Sequence, residues 1–138
     1  MIKAVAQADD VGAGALSLRM RAHLIGLAAR AQSVTYAMLA DALDVQPPNR
    51  IHRVTEALEA LMAEDAANGH PFIAALVISA RRRGLPAPGF FETAHALGSF
   101  DGLPDGPEAI AFHHRASAEA VAFWGTPVEE QARPAHHG

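Results

Sequence analysis

The residues of this chain best suited to gripping a partner are arginines, and they come in two clusters. Arg50 and Arg53 lie three apart, with His52 between them, where Ile51, Val54, Leu58, Leu61 and Met62 follow a helical spacing. Positions i and i+3 share a helix face, so both guanidiniums should point away from the apolar stripe. Their N–H forks suit phosphate oxygens and the edges of bases. Glu56, Glu59, Glu64 and Asp65 follow on the same helix and repel phosphate, so only its N-terminal end can approach nucleic acid. Arg81, Arg82 and Arg83 form the second cluster, in a turn between two apolar segments, where they can touch phosphates. The competing reading of both clusters is ordinary solvated surface.

Other chemistries find few carriers. The absence of cysteine excludes thiol nucleophiles, disulfides, zinc ribbons and iron-sulfur clusters. Glu92-x-x-His95 has the spacing that aims a carboxylate and an imidazole at one metal, but a carboxylate site needs further ligands from other helices, and only one copy exists. His113 and His114 are adjacent, so on a helix they diverge by about 100 degrees and cannot chelate together. Gly12-x-Gly14-x-x-Ser17 lacks the last glycine and the preceding strand of a dinucleotide fingerprint, and no Walker motif or nucleophile elbow occurs. No catalytic residue, metal ligand or cofactor is expected, and the chain reads as non-enzymatic.

The elements that position the arginines follow from periodicity and punctuation. Ala, Gly and Asp without period over 1–14 predict a flexible entry. Leu16, Met20, His23, Leu24, Leu27 and Ala31 predict a helix from Ala15. Ser33 and Thr35 offer caps for a short helix over 35–43, which ends at Pro47-Pro48. Asn49 then reads as the cap of a helix over 49–67, stopped at Asn68-Gly69. The continuous apolar run 72–78 has the length of a buried strand. Residues 85–91, interrupted by Pro86, Pro88 and Gly89, would return beside it as an irregular edge, with Phe90 and Phe91 in the core. A short helix over 92–97 and a longer one opened by Pro107 and running to Trp124 follow, the latter with Ile110, His114, Ala118, Val121 and Trp124 inward. The expected fold is mainly α with a small β-hairpin: a single winged helix-turn-helix-like domain over 15–124, with additional C-terminal helices and a mobile tail over 125–138. That order brings both arginine clusters to one side.

Composition bounds the partners. The 138 residues, 50% hydrophobic and 19% charged, suit one soluble globular domain. The net charge of -4 divides into +2 over 1–53 and -6 over 54–138, which excludes a uniform basic coat but not a local basic face. No apolar run approaches a membrane span, and Asp9 and Asp10 argue against a secretory leader, so a cytoplasmic location is expected.

The string Val34-Thr35-Tyr36-Ala37-Met38-Leu39-Ala40, the Pro-rich turn, a helix with an Arg near its start, and an apolar segment leading into Gly84-Leu85-Pro86 and Gly89 together resemble the DNA-binding domain of alkylguanine DNA alkyltransferases and alkyltransferase-like proteins. A set of small bacterial winged-helix proteins of that plan is more similar still. The resemblance spans roughly 15–91. It implies that Tyr36 contacts the DNA backbone beside a flipped nucleotide, and that Arg50 or Arg53 fills the gap the base leaves. Ala74 stands where the acceptor cysteine would be, and Ala75 and Leu76 replace the family's His and Arg, so alkyl transfer is excluded. The expectation is therefore a non-enzymatic protein binding duplex DNA through Tyr36, Arg50, Arg53, Arg81, Arg82 and Arg83. The alternative is an adaptor that docks a protein partner or a second copy through its acidic half or the surface around Phe123 and Trp124.

Overall fold

The computed structural model describes residues 2–126, with side chains from Gly14 onward. The chain order is α1 (Ile2–Ala29), β1 (Val34–Thr35), α2 (Tyr36–Ala42), α3 (Arg50–Asn68), a 3₁₀ turn (Ile73–Leu76), β2 (Val77–Ile78), α4 (Pro88–Ala96) and α5 (Pro107–Trp124). The helix expected from Ala15 thus continues back to Ile2, through the segment 1–14 whose composition predicts a flexible entry. The tail expected to be mobile lies, from residue 127 on, outside the described residues.

Local chemistry sets the boundaries of α2 and α3. Thr35 caps α2 by accepting the Met38 N–H at 3.1 Å. Beyond its end, Asp44 turns left-handed at φ 54, and the Val45 N–H closes on the Ala40 carbonyl at 2.9 Å. Asn49 opens α3 by position, yet its side chain makes no capping bond; its backbone sits at φ 63, a conformation asparagine tolerates better than most residues. Gly69 ends the helix at φ 69, as expected of a left-handed stop.

The β-hairpin is not formed, and this corrects the expected wing. Of the run 72–78, Ile73–Leu76 winds into the 3₁₀ turn and only Val77–Ile78 is extended. Its partner is Val34–Thr35, in parallel, with Val34 opposite Val77 and Thr35 opposite Ile78. A buried apolar run does not by itself distinguish strand from helical turn. Here the Asp65 carboxylate accepts the Ile73 N–H at 3.0 Å, which favours the turn. Residues 85–91 do not return as a strand, because Pro86 and Pro88 have no N–H to give a ladder and Pro88 instead opens α4. The loop closes by three backbone bonds, from the Ser79 N–H to the Leu85 carbonyl at 2.8 Å, from Arg82 to Ser79 at 3.1 Å and from Leu85 to Arg82 at 3.1 Å.

The core is built on the 3₁₀ turn, all four of whose residues are buried between α1, α3 and α5. Met20, Leu24, Leu27 and Ala28 of α1 and Val54, Ala57, Leu58, Leu61 and Met62 of α3 supply the aliphatic part. Phe72, Phe90, Phe91, Phe100 and Phe112 form the aromatic part, with Phe90 and Phe91 edge to face at 5.1 Å. Each such buried side chain larger than alanine contributes roughly 1.5–3 kcal/mol. The inner face of α5 is Ala109, Phe112, His113, Ala116 and Ala120, one register away from the expected one; Ile110, His114 and Ala118 are exposed. Alanines carry little facial signal, and close approach to the 3₁₀ turn selects them.

One corner ties three helices together. Asp65 of α3 is 1% exposed, and Arg21 of α1 meets it at 2.9 Å while also pairing with Glu64 at 3.0 Å. The Arg21 guanidinium lies 4.7 Å from the Trp124 ring centroid, and the Trp124 indole N–H donates to the Pro71 carbonyl at 2.8 Å. His70 stacks on Phe123 at 4.7 Å. Phe123 and Trp124, around which a docking surface is the alternative expectation, are half-buried.

Candidate nucleic-acid interface

The six residues expected to touch DNA divide into those the fold engages and those it leaves at the surface. Arg50 is engaged: its Nε donates to the Val45 carbonyl at 2.6 Å and its Nη2 pairs with Asp41 of α2 at 2.6 Å. It fastens α3 back onto α2. Arg53 is exposed, with one long bond at 3.3 Å from its guanidinium to the Gln46 carbonyl. Arg50 and Arg53 do share a side of α3, but that side faces the carbonyls of the turn 43–48.

In the basic turn, Arg82 is engaged by the Pro86 carbonyl at 2.8 Å and the Pro104 carbonyl at 2.7 Å, holding the loop to the segment before α5. Arg81 and Arg83 are exposed and make no ion pair among the described residues. Arg83 adopts φ 56 and Gly84 φ 87, two successive left-handed residues.

Tyr36, the first residue of α2, is half-buried, and its hydroxyl oxygen accepts the Ala87 N–H at 3.0 Å. Burial pushes its pKa up, against the lowering influence of that N–H and of Arg82. The phenol therefore stays protonated and still has its own hydrogen to donate. With the pairing of β1 and β2, this bond sets the end of the basic loop against the start of α2.

The face of α3 beyond its first turn is acidic, and His52 pairs with Glu56 at 3.2 Å. A groove of about 840 Å³ runs between α1 and α3, with Arg19, Arg21 and Arg53 set against Asp44, Glu56 and Glu64. Such mixed lining does not select an anion. Arg19 was not singled out by sequence; its guanidinium donates to the Leu43 carbonyl at the end of α2.

Ala74 is 2% exposed and lies inside the core. His113 and Ser117 stand one turn apart on α5, with Oγ 3.0 Å from Nε2, the separation of a nucleophile and its base. The Ala75 carbonyl decides against that role. It lies 2.9 Å from Nε2 and can only accept, so Nε2 carries the proton and cannot take one from serine. Ser117 donates to the same carbonyl at 3.2 Å. Burial holds the His113 pKa below its ordinary 6.5, the Ala75 carbonyl opposing and His114 adding to the effect. The core role expected of His114 thus belongs to His113. His95 of the Glu92-x-x-His95 pair sets its Nδ1 3.0 Å from the Phe100 carbonyl, and no group of three or more potential metal ligands occurs among the described residues.

No protein-family model matches this chain, and no curated protein or solved structure matches it either. No helix among the described residues is long and apolar enough to cross a membrane.

Proposed function

We propose that this protein is a non-enzymatic, helix-turn-helix-like DNA-binding protein that holds the backbone of duplex DNA with the start of α3 and the basic turn beside it. The observation that carries the reading is the junction at Tyr36. The β1–β2 pairing and the bond from the Ala87 N–H to the Tyr36 hydroxyl place the end of the loop holding Arg81 and Arg83 against the start of α2. α2 and α3 supply the helix pair, with Asn49, His52 and Arg53 exposed at the leading end of α3. In this reading Arg53, Arg81 and Arg83 meet phosphates, the Tyr36 O–H donates to another, and Arg50 and Arg82 hold the frame. The likeness of the 34–40 string to the alkyltransferase DNA-binding domain agrees with this placement, while Ala74 leaves no nucleophile for repair.

Fluorescence anisotropy with a short duplex tests it. Three cationic contacts give a salt slope near -2.7, so raising salt fourfold should weaken binding about fortyfold, whereas five contacts would give about five-hundredfold. Arg53→Ala with Arg81→Ala should abolish most of the slope. Absence of binding at about 50 mM salt, where electrostatic contacts are strong, would refute the proposal.

A second reading, a protein-docking scaffold, is favoured by apolar side chains on the same helix pair: Met38 is 59% and Ile51 46% exposed. Those two residues would then carry binding, and salt would matter little.

A further inference from the structure

We propose that the cleft between the basic turn and α5 is a binding site for a phosphorylated sugar of mononucleotide size. The cleft holds about 570 Å³, within the range of small-ligand sites and several times what a bare phosphate needs. Its lining joins Arg82, Arg83 and Leu85 of the turn to Ile110, His114 and Ser117 of α5, with His113 behind them. No carboxylate lines it, although the chain as a whole carries a charge of -4. Two arginines and an exposed histidine without opposing acid select an anion.

The turn itself is built at a cost. Arg83 takes a left-handed backbone at φ 56, a conformation that disfavours a side-chain-bearing residue. The N–H groups of Arg83 and Gly84 find no internal acceptor among the described residues, and unpartnered successive N–H groups in such turns are anion receptors. Arg82, held by two carbonyls, fixes the turn in place. The opposite wall asks for more than a phosphate. Ser117 gives its proton to the Ala75 carbonyl and lies 3.0 Å from the protonated His113 Nε2, so toward a ligand its Oγ can only accept, as from a hydroxyl. Leu85 and Ile110, the latter 50% exposed, offer an apolar flank. Phosphate at Arg83 and His114, with a hydroxyl at Ser117, is the pattern of a sugar phosphate. A mononucleotide and a free sugar phosphate share this chemistry.

The site shares Arg83 with the DNA reading but requires no helix-turn-helix contact and is assayed without DNA, so each can fail without the other. Isothermal titration calorimetry of the full chain with adenosine monophosphate, ribose 5-phosphate, adenosine and inorganic phosphate separates the sources. Both sugar phosphates should bind at one site, adenosine should not, and a base contribution would appear as tighter binding of the nucleotide. Arg83→Gly, which keeps the turn's backbone, and His114→Ala, at an exposed position, should each weaken binding about tenfold or more, as loss of a charge-assisted contact does. Ser117→Ala should weaken ribose 5-phosphate and leave inorganic phosphate unchanged. Arg53→Ala should leave all four ligands unchanged. Equal binding of adenosine and its monophosphate, no binding of either sugar phosphate, or unaltered affinity in Arg83→Gly and His114→Ala proteins that melt like wild type would overturn the proposal.

Discussion

Lowering the pH below 6.5 should weaken the fold through one imidazole, His113. This ring is 7% exposed, and its Nε2–H donates to the Ala75 carbonyl at 2.9 Å, fastening α5 to the 3₁₀ turn. A second proton puts a charge where burial opposes it, and His114 next in sequence opposes it too, so the folded pKa lies below the ordinary 6.5. Between the two values the unfolded chain binds the extra proton and the folded chain does not. Stability therefore falls as pH drops through that window, by up to about 1.4 kcal/mol per pH unit, and levels off once the folded imidazole also protonates. Above 6.5 this residue contributes no pH dependence. Asp65 works in the opposite sense: burial raises its pKa above 3.8, so within its own window acidification favours the folded state. Comparison with His113→Gln cancels Asp65 and every other shared group, because glutamine keeps an N–H donor on a side chain that does not titrate. Urea unfolding followed by fluorescence of Trp124, the single tryptophan, gives both stabilities from about pH 8 to about pH 5. The difference between the proteins should be level at the alkaline end and should swing toward the glutamine variant below 6.5. A difference that stays level throughout refutes the reasoning.

Substitutions at three positions probe the packing. In Gly125→Ala the new Cβ would stand 2.5 Å from the Val121 carbonyl oxygen and 2.6 Å from that of Ala28. Backbone cannot yield there cheaply, so a loss of about 1–3 kcal/mol is expected in a thermal melt, and an unchanged Tm would show that α1 and α5 approach less closely. Asp65→Ala strands the Ile73 N–H and leaves the half-buried Arg21 with only the exposed Glu64 as its carboxylate partner. The expected cost is about 3–5 kcal/mol by urea unfolding, with Asp65→Asn losing less because it keeps an acceptor; equal losses would count against the Ile73 bond. Arg50→Ala removes the bond to Val45 and a largely exposed pair with Asp41. It should cost only about 1 kcal/mol in the same assay, and a loss several times larger would mean the α2–α3 turn depends on it far more than its exposure suggests.

The parts of the fold legible in sequence were those punctuated by single residues. Thr35, Gly69 and Pro107 mark ends with a donor, an acceptor or a fixed dihedral, and α2, α3 and α5 begin and end close to where these residues stand. The 3₁₀ turn was not legible, because its cause is Asp65, eight residues away, whose carboxylate takes the Ile73 N–H. Nor was the parallel pairing of Val34–Thr35 with Val77–Ile78, since two-residue strands have no period to detect. On α5 the bulky Ile110 drew the apolar face toward itself, while the buried face is marked chiefly by Ala109, Ala116 and Ala120. Of the candidate site, the positions of Arg53, Arg81 and Arg83 at the surface were legible. The bonding of Tyr36, Arg50 and Arg82 was not.

The reason lies in the prolines. Each removes a backbone N–H while keeping a carbonyl, and the chain has nine, many in the connections 43–49, 84–88 and 101–107. Those connections therefore hold more acceptors than donors, and a turn with orphaned carbonyls is unstable unless something supplies hydrogen. Arginine does so here, with five N–H groups and no acceptor. Arg19 serves Leu43, Arg50 serves Val45, Arg53 serves Gln46, and Arg82 serves Pro86 and Pro104. All of these carbonyls lie in or beside a proline-containing connection. A count of arginines near a helix start thus overstates the charge free to meet phosphate, since part of it substitutes for the missing amides. Arg81 and Arg83 escape this use because the turn that carries them, 79–85, is closed by its own backbone bonds from Ser79 to Leu85, Arg82 to Ser79 and Leu85 to Arg82. Cations left over where a connection closes through its own amides are the ones available to a ligand, which is why both proposals made for this protein draw on the basic turn.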